Sequence, residues 1–186
     1  ENYKNLSQYT WKRNVDGFSE GKKVMTSLSS VQFGADGKIT ATVIQQQSFV
    51  EKKGGLRGAA QKGQMDDMSE YVKNAVELTM KYIYMTTGQM VDYFGKGTLS
   101  VLDGNILQAE AFNFLAQGDH LNYKFDKTSL NYISQDISTV MNGDPVKALV
   151  TYETVNGMNR VNKVELTFPA VKINATLTNI EYAKKL

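Results

Sequence analysis

Residues 65–87 read MDDMSEYVKNAVELTMKYIYMTT, and the reading of this stretch decides the fold. Met68, Tyr71, Val72, Ala75, Leu78, Thr79, Tyr82 and Ile83 recur at the i, i+3, i+4 spacing of one helical face. Glu70, Lys73, Asn74, Glu77 and Lys81 fill the opposite face. Asp67 followed by Glu70 is a capping signal, and Asp66 adds negative charge where the helix dipole favours it. Gly88 is the expected stop. The spacing predicts one long helix over about 65–87. Its second half (Met80, Tyr82, Ile83, Tyr84 and Met85) is apolar nearly all round. Such a surface is either covered on two sides as core or forms the wall of a groove for an apolar ligand or partner. Methionine suits a groove because it adapts its shape, and tyrosine because it carries a polar tip.

Outward from the helix the chain reads as strands and tight turns. Upstream, Tyr9, Trp11, Arg13 and Val15 alternate with polar residues, and Asp16-Gly17 is the expected turn. A second strand over Lys22–Phe33 leads through Ala35-Asp36-Gly37-Lys38, a hairpin signal, into Lys38–Gln47. There Ile39, Ala41 and Val43 share one face of a half-buried strand. Residues 51–64, EKKGGLRGAAQKGQ, read as a flexible basic glycine-rich loop, and residues 1–8 as a loose N-terminus. Downstream, Gln89–Phe94 is a short helical turn ending at Gly95 and Gly97. Strands follow over Thr98–Leu102, Ile106–Phe114, His120–Asp126, Leu130–Val140, Val146–Val155, Asn162–Phe168 and Val171–Tyr182. Turns at Gly118-Asp119, Asn142-Gly143-Asp144-Pro145 and Asn156-Gly157 separate several of them.

The order is three strands, one helix, then six or seven strands. The absence of alternating strand and helix excludes a doubly wound parallel sheet. The expectation is a mainly antiparallel α+β fold: a curved sheet or half-barrel of about nine to eleven strands. The long helix packs on its concave face, and residues 1–186 form a single domain. At 186 residues a sizeable core is possible.

Composition narrows the chemistry. There is no cysteine, which excludes disulfides, thiol catalysis and cysteine-ligated metals. A net charge of +2 gives no electrostatic reason to expect nucleic acid. No apolar run is long enough to span a membrane as a helix. The single histidine, His120, follows a turn with no nucleophile motif beside it and reads as a surface residue. Gly58 and Gly63 have the spacing of phosphate-loop glycines. However, Gln64 and Met65 stand where lysine and a hydroxyl are required. Lys52, Lys53, Arg57 and Lys62 read as solvated. The scattered carboxylates form no calcium loop. No enzyme activity, metal or cofactor is therefore expected. The chain opens at Glu1 without an initiator methionine, for which a removed secretion signal is one explanation.

The layout of a Trp-bearing leading meander (Tyr9, Trp11, Lys12, Arg13), a central amphipathic helix and a long antiparallel run resembles the bacterial periplasmic lipoprotein carriers of LolA/LolB type. The segments LNYKFDKTSLNYI, NGDPVKALVTYETVNGMNRV and ELTFPAVKINATLTNIEY resemble uncharacterised exported bacterial proteins. The resemblance implies a half-barrel fold, a location in the periplasm or cell envelope, and a lipid or acyl chain as ligand. Read with the helix, it points to a non-catalytic site between sheet and helix lined by Tyr71, Met80, Tyr82, Ile83, Tyr84 and Met85, with tyrosine tips orienting the ligand. The alternative is a structural or protein-interaction module of the envelope that binds another envelope protein and no small molecule.

Overall fold

The computed structural model describes residues 6–34, 38–49 and 55–185, with side chains outside 55–68. Its strands are β1 (Tyr9–Ser19), β2 (Lys22–Phe33), β3 (Ile39–Ser48), β4 (Thr98–Val101), β5 (Ile106–Phe112), β6 (His120–Asp126), β7 (Tyr132–Met141), β8 (Asp144–Val155), β9 (Met158–Phe168) and β10 (Ile173–Lys184). Two helices, α1 (Gly55–Ile83) and α2 (Thr87–Lys96), lie between β3 and β4.

All ten strands form one open, curved sheet in the order β3-β2-β1-β10-β9-β8-β7-β6-β5-β4. Every described pairing is antiparallel. Each strand neighbours its successor except β3, which is not beside β4, and β10 returns to pair with β1. That closure puts β3 and β4, which are joined through the helices, on the two outer edges of the sheet. The connection must therefore cross the sheet. Nine interstrand gaps of about 4.8 Å make a surface roughly 43 Å wide. The 29 residues of α1 span about the same length at about 1.5 Å each.

Two-residue turns fix the register of several hairpins. Glu20-Gly21, Asn142-Gly143 and Asn156-Gly157 each hold two consecutive residues at positive φ, the geometry that matches strand twist. The expected turn at Asp16-Gly17 is instead inside β1, where Gly17 pairs with both Ala175 and Met25. Its glycine answers a close approach, because a Cβ there would lie 2.6 Å from Met25 Cγ.

The sheet's inner face is apolar from β5 round to β2. Ala109 and Ala111, Leu121 and Tyr123, Ile137, Val146 and Val150, Val164 and Leu166, Ala175 and Leu177 are buried in one cluster with Val72, Ala75, Tyr82 and Met85 of the helical segment. A second cluster gathers Leu6, Trp11, Val31 and Phe33. Leu6 thus packs into the core although the first eight residues read as loose; residues 1–5 lie outside the described ones. The edges differ from the middle. β4 is exposed throughout, and β3 is exposed at every residue except Ile39, so the third strand is not the half-buried one its alternation suggests.

The long helix is longer than its periodicity implies. It begins at Gly55, so residues 55–64 are helical and only 51–54 of the expected loop fall outside the described residues. Glycines 55, 58 and 63 each lower helix propensity, but extending an existing helix costs far less than starting one. Asp67 consequently lies inside the helix rather than at its cap. The helix also ends earlier, at Ile83, because Thr86 caps α2. Thr86 and Gln89 form a reciprocal capping box, which leaves Gly88 in the first turn of α2.

Gly97 closes α2 against β5. A Cβ at Gly97 would sit 2.8 Å from the Tyr93 carbonyl oxygen and 2.9 Å from that of Glu110. Both are backbone atoms and cannot swing away. Gly97→Ala is expected to lower stability by about 2 kcal/mol, the scale of overpacking, read as a lower denaturation midpoint at unchanged slope.

Candidate functional site

The helical wall of the concave face is built from one row of α1. Tyr71 donates from its hydroxyl to Asp144 Oδ2 at 3.2 Å and sets its ring edge-on to Phe168. Val72, Ala75 and Thr79 follow on the same row and are buried. Thr79 satisfies its hydroxyl on the Ala75 carbonyl. Tyr82, only 1% exposed, shares a hydrogen bond of 3.0 Å with the Thr139 hydroxyl. Its carbonyl, freed by the end of the helix, accepts from the Tyr123 hydroxyl and from Gln135 Nε2. Burial pushes the Tyr82 phenol above its usual pKa, the bond to Thr139 opposes this, and nearby Asp119 adds to it.

The six residues singled out by sequence therefore divide. Tyr82 and Met85 are buried in the main cluster, while Tyr71, Met80, Ile83 and Tyr84 are half-buried against it. Tyr84 is the one that touches both apolar clusters, meeting Phe33 ring edge to face.

At the end of the sheet near Tyr84, three irregularities in pairing change which side chains face inward. Opposite β1, β10 carries Glu181 at φ 52 within a register shift, which turns Tyr182 in beside Asn179. Between β8 and β9 the register skips Asn162, so Val161 and Asn159 face inward after Val164. Between β6 and β7 it skips Ile133, which aims Tyr132 inward while Ile133 stays exposed. Bulges re-aim side chains in this way, often beside functional sites.

The result is a polar–aromatic end to an otherwise apolar face. Tyr132 stacks on Tyr152, whose hydroxyl donates to Gln135. Tyr182 stacks on Trp11 with centroids 5.4 Å apart and donates to the Val161 carbonyl. Arg160, paired with Glu153, lies 4.0 Å from the Tyr182 ring centroid. Burial pushes the phenols of Tyr84 and Tyr152 upward, yet both residues keep part of their surface open to solvent.

Arg13 stands at the base of this end, paired across strands with Ser29 and Asn179. It is 4% exposed, and its Nε donates to Asn179 Oδ1 at 2.9 Å. Sequence reading placed Arg13 on the face of Trp11 and Val15 but gave it no role. Its parity with Trp11 was the available signal, and the parity of Asn179 with Ile173, Ala175 and Leu177 was another.

His120 lies elsewhere, on the outer face. Its Nε2 is 2.7 Å from Glu110 Oε1, and its ring stacks on Phe112. Among the described residues no group of three or more histidines and carboxylates is placed to hold a metal ion, and no helix is long and apolar enough to cross a membrane. Two open recesses of about 390 Å³ also occur. One lies on the outer face between Asn14, Leu28, Gln45 and Ile180, and the other beside α1 at Asn74, Lys81 and Asn142. Neither is enclosed.

No family model and no curated protein matches the sequence. Among solved structures, the chain is similar to a LolA superfamily protein from Nitrosomonas europaea, at 8% identity and TM-score 0.45, over 97% of this chain and 87% of that one. It is also similar to a DUF1329 family protein from Desulfovibrio piger, at 10% identity and TM-score 0.43, over 99% of this chain and 89% of that one.

Proposed function

We propose that this chain is a non-catalytic binding protein of the bacterial cell envelope that takes an apolar chain, such as an acyl group, between its sheet and its helical segment. One observation carries the reading. The inner face is apolar from β5 to β2, and at its bulged end Tyr84, Tyr132, Tyr152, Met158 and Tyr182 remain half-buried rather than sealed. The middle of the face is filled by Val72, Ala75 and Tyr82, so a long chain enters at the bulged end and advances as the helical segment lifts. Burying apolar area supplies the driving force, about 25 cal/mol per Å². Tyr71, Met80, Ile83 and Tyr84 then form the helical wall of the site, with Tyr82 and Met85 behind them. The exported location belongs to the same proposal and rests on the resemblance of the sequence to periplasmic carriers.

The test is native mass spectrometry, with lipid extraction, of protein purified from a bacterial envelope. A stoichiometric acyl species is expected. Protein that emerges empty, and stays empty when offered acyl chains, overturns the reading.

A second reading is favoured by the sheet's edge. β3 carries no charge over ten residues and is exposed along nearly its whole length, with Val43 and Ile44 open to solvent. Such an edge is suited to pairing with a partner's strand. Under that reading, β3 rather than the inner face binds, and the protein stays lipid-free.

A further inference from the structure

The fold accounts for the burial of Arg13 but not for its charge. A buried guanidinium is normally matched by a carboxylate, because removing a cation from water is costly without a counter-charge. Among the described residues Arg13 forms no ion pair; its hydrogen bond is the one from Nε to Asn179. Asn179 does not need it, since the same Oδ1 accepts from Trp11 Nε1 at 3.2 Å and its Nδ2 donates to the Val161 carbonyl. The acid near this cluster, Glu153, is engaged by Arg160 through both Nε and Nη2 at 2.8 Å.

The terminal nitrogens of Arg13 are therefore without partners, yet they are not sealed. The single fully buried side-chain nitrogen or oxygen lacking a partner among the described residues is Asn122 Oδ1. The two Nη groups consequently keep a narrow opening to solvent, although the residue is 4% exposed. Tyr84 is close enough for its phenol and the guanidinium to influence each other's ionisation, as is Tyr182. The Tyr84 hydroxyl forms no described hydrogen bond either, whereas Tyr182 is committed to Val161. The ring contacts run from Tyr84 to Phe33 and from Phe33 to Trp11, which shares Asn179 with Arg13, so the unpartnered guanidinium end and the unpartnered phenol belong to one aromatic cluster.

The neighbours on either side are apolar. On β1 the inward residues flanking Arg13 are Trp11, in the smaller cluster, and Val15, packed against the larger one. Arg13 sits between them along β1, and Tyr84 packs against both clusters. We propose that Arg13, with the Tyr84 hydroxyl, recognises the anionic head of a single-chain amphiphile whose apolar tail lies along the inner face. The proposal rests on the apolar-ligand reading above and specifies the ligand class: a carboxylate or phosphate on an acyl or alkyl chain. The planar fork of arginine suits either head. Because Tyr84 lies just beyond the end of α1, head-group binding acts directly on the joint between the two helices.

The experiment compares dodecanoate, dodecyl phosphate and 1-dodecanol, all below their aggregation concentrations, by titration against the wild-type protein, Arg13→Met and Arg13→Lys. At least one anion is expected to bind tenfold or more tighter than the alcohol, and the tighter of the two names the head. Arg13→Met is expected to erase that preference while leaving alcohol binding within twofold, and Arg13→Lys to restore part of it. Equal binding of all three probes to the wild type overturns the inference and leaves the apolar-ligand reading standing. Binding of none overturns both. Should Arg13→Met fail to fold, the wild-type comparison decides alone, since indifference to the head group there is already fatal.

Discussion

Replacing Tyr82 by alanine is expected to destabilise the fold by about 4 kcal/mol, within the range for deleting a buried aromatic side chain. The residue is almost fully enclosed, and its position joins three elements. The ring lies in the main cluster, the hydroxyl meets Thr139 of β7, and the carbonyl receives Tyr123 of β6 and Gln135 of β7. Tyr82→Phe isolates the hydroxyl and is expected to cost about 1 kcal/mol, the net worth of one hydrogen bond. Denaturant titration of the two variants separates the contributions, provided the slope is unchanged. The alanine variant also bears on function. It loosens the helix over the inner face, so hydrogen exchange in residues 69–96 should accelerate more than in β8 or β9. Equal acceleration everywhere would mean that the helix has no independent opening.

The second large effect is expected at Asp119, which is 2% exposed. Its carboxylate accepts from the backbone amides of Phe114, Leu115 and Ala116 at 2.6, 2.8 and 2.9 Å. Its own carbonyl accepts from Asn113, whose side chain in turn receives the Gly118 amide. The loop between β5 and β6 is thus wound around one acid. It holds Phe114 edge-on to Tyr93 of α2, and Tyr93 donates to the carbonyls of Ala109 and Leu121. Asp119→Ala strands three donors and is expected to cost about 3 kcal/mol. Asp119→Asn keeps one acceptor oxygen and should cost about half as much. Because Asp119 also lies near the Tyr82 phenol, its effect and that of Tyr82→Phe should not add, which a double-mutant cycle measures. Strict additivity would show that the α2 contact and the Tyr82 contact are independent.

Much of this architecture was legible in the sequence because its signals are local. Period-two alternation and two-residue turns located the strands, and the i, i+3, i+4 row from Tyr71 to Tyr82 located the inward face of α1. The readings that moved depended on distant neighbours. Gly17 looks like a turn in isolation, and the side chain of Met25 makes it a close contact. The glycines of residues 55–64 look like a loop, yet the helix continues through them. Alternation in β3 suggested a buried face, but the strand lies at the edge, a position set by β10 returning to β1. The candidate site was legible only along the helix. Its other wall depends on bulges at Glu181, Asn162 and Ile133, which switch the inward phase of three strands without any marker in the local pattern. The parity of Arg13 with Trp11 and Val15 marks its face, but the depth of its burial depends on partners far away in sequence, Ser29 of β2 and Asn179 of β10.

The central claim is that the inner face beneath the helical segment takes an apolar chain, and photolabelling with a fatty acid bearing a terminal diazirine tests it most directly. The protein is irradiated with the bound probe and the labelled residues are located by peptide mass spectrometry. Label is expected on inward residues, such as Val15, Leu177, Val164 and Tyr152, and on Ile83 and Tyr84 of the helical wall. It should be displaced by unlabelled fatty acid. Label confined to Val43 and Ile44 of the β3 edge, or to the outer-face recess at Leu28 and Ile180, would contradict the account.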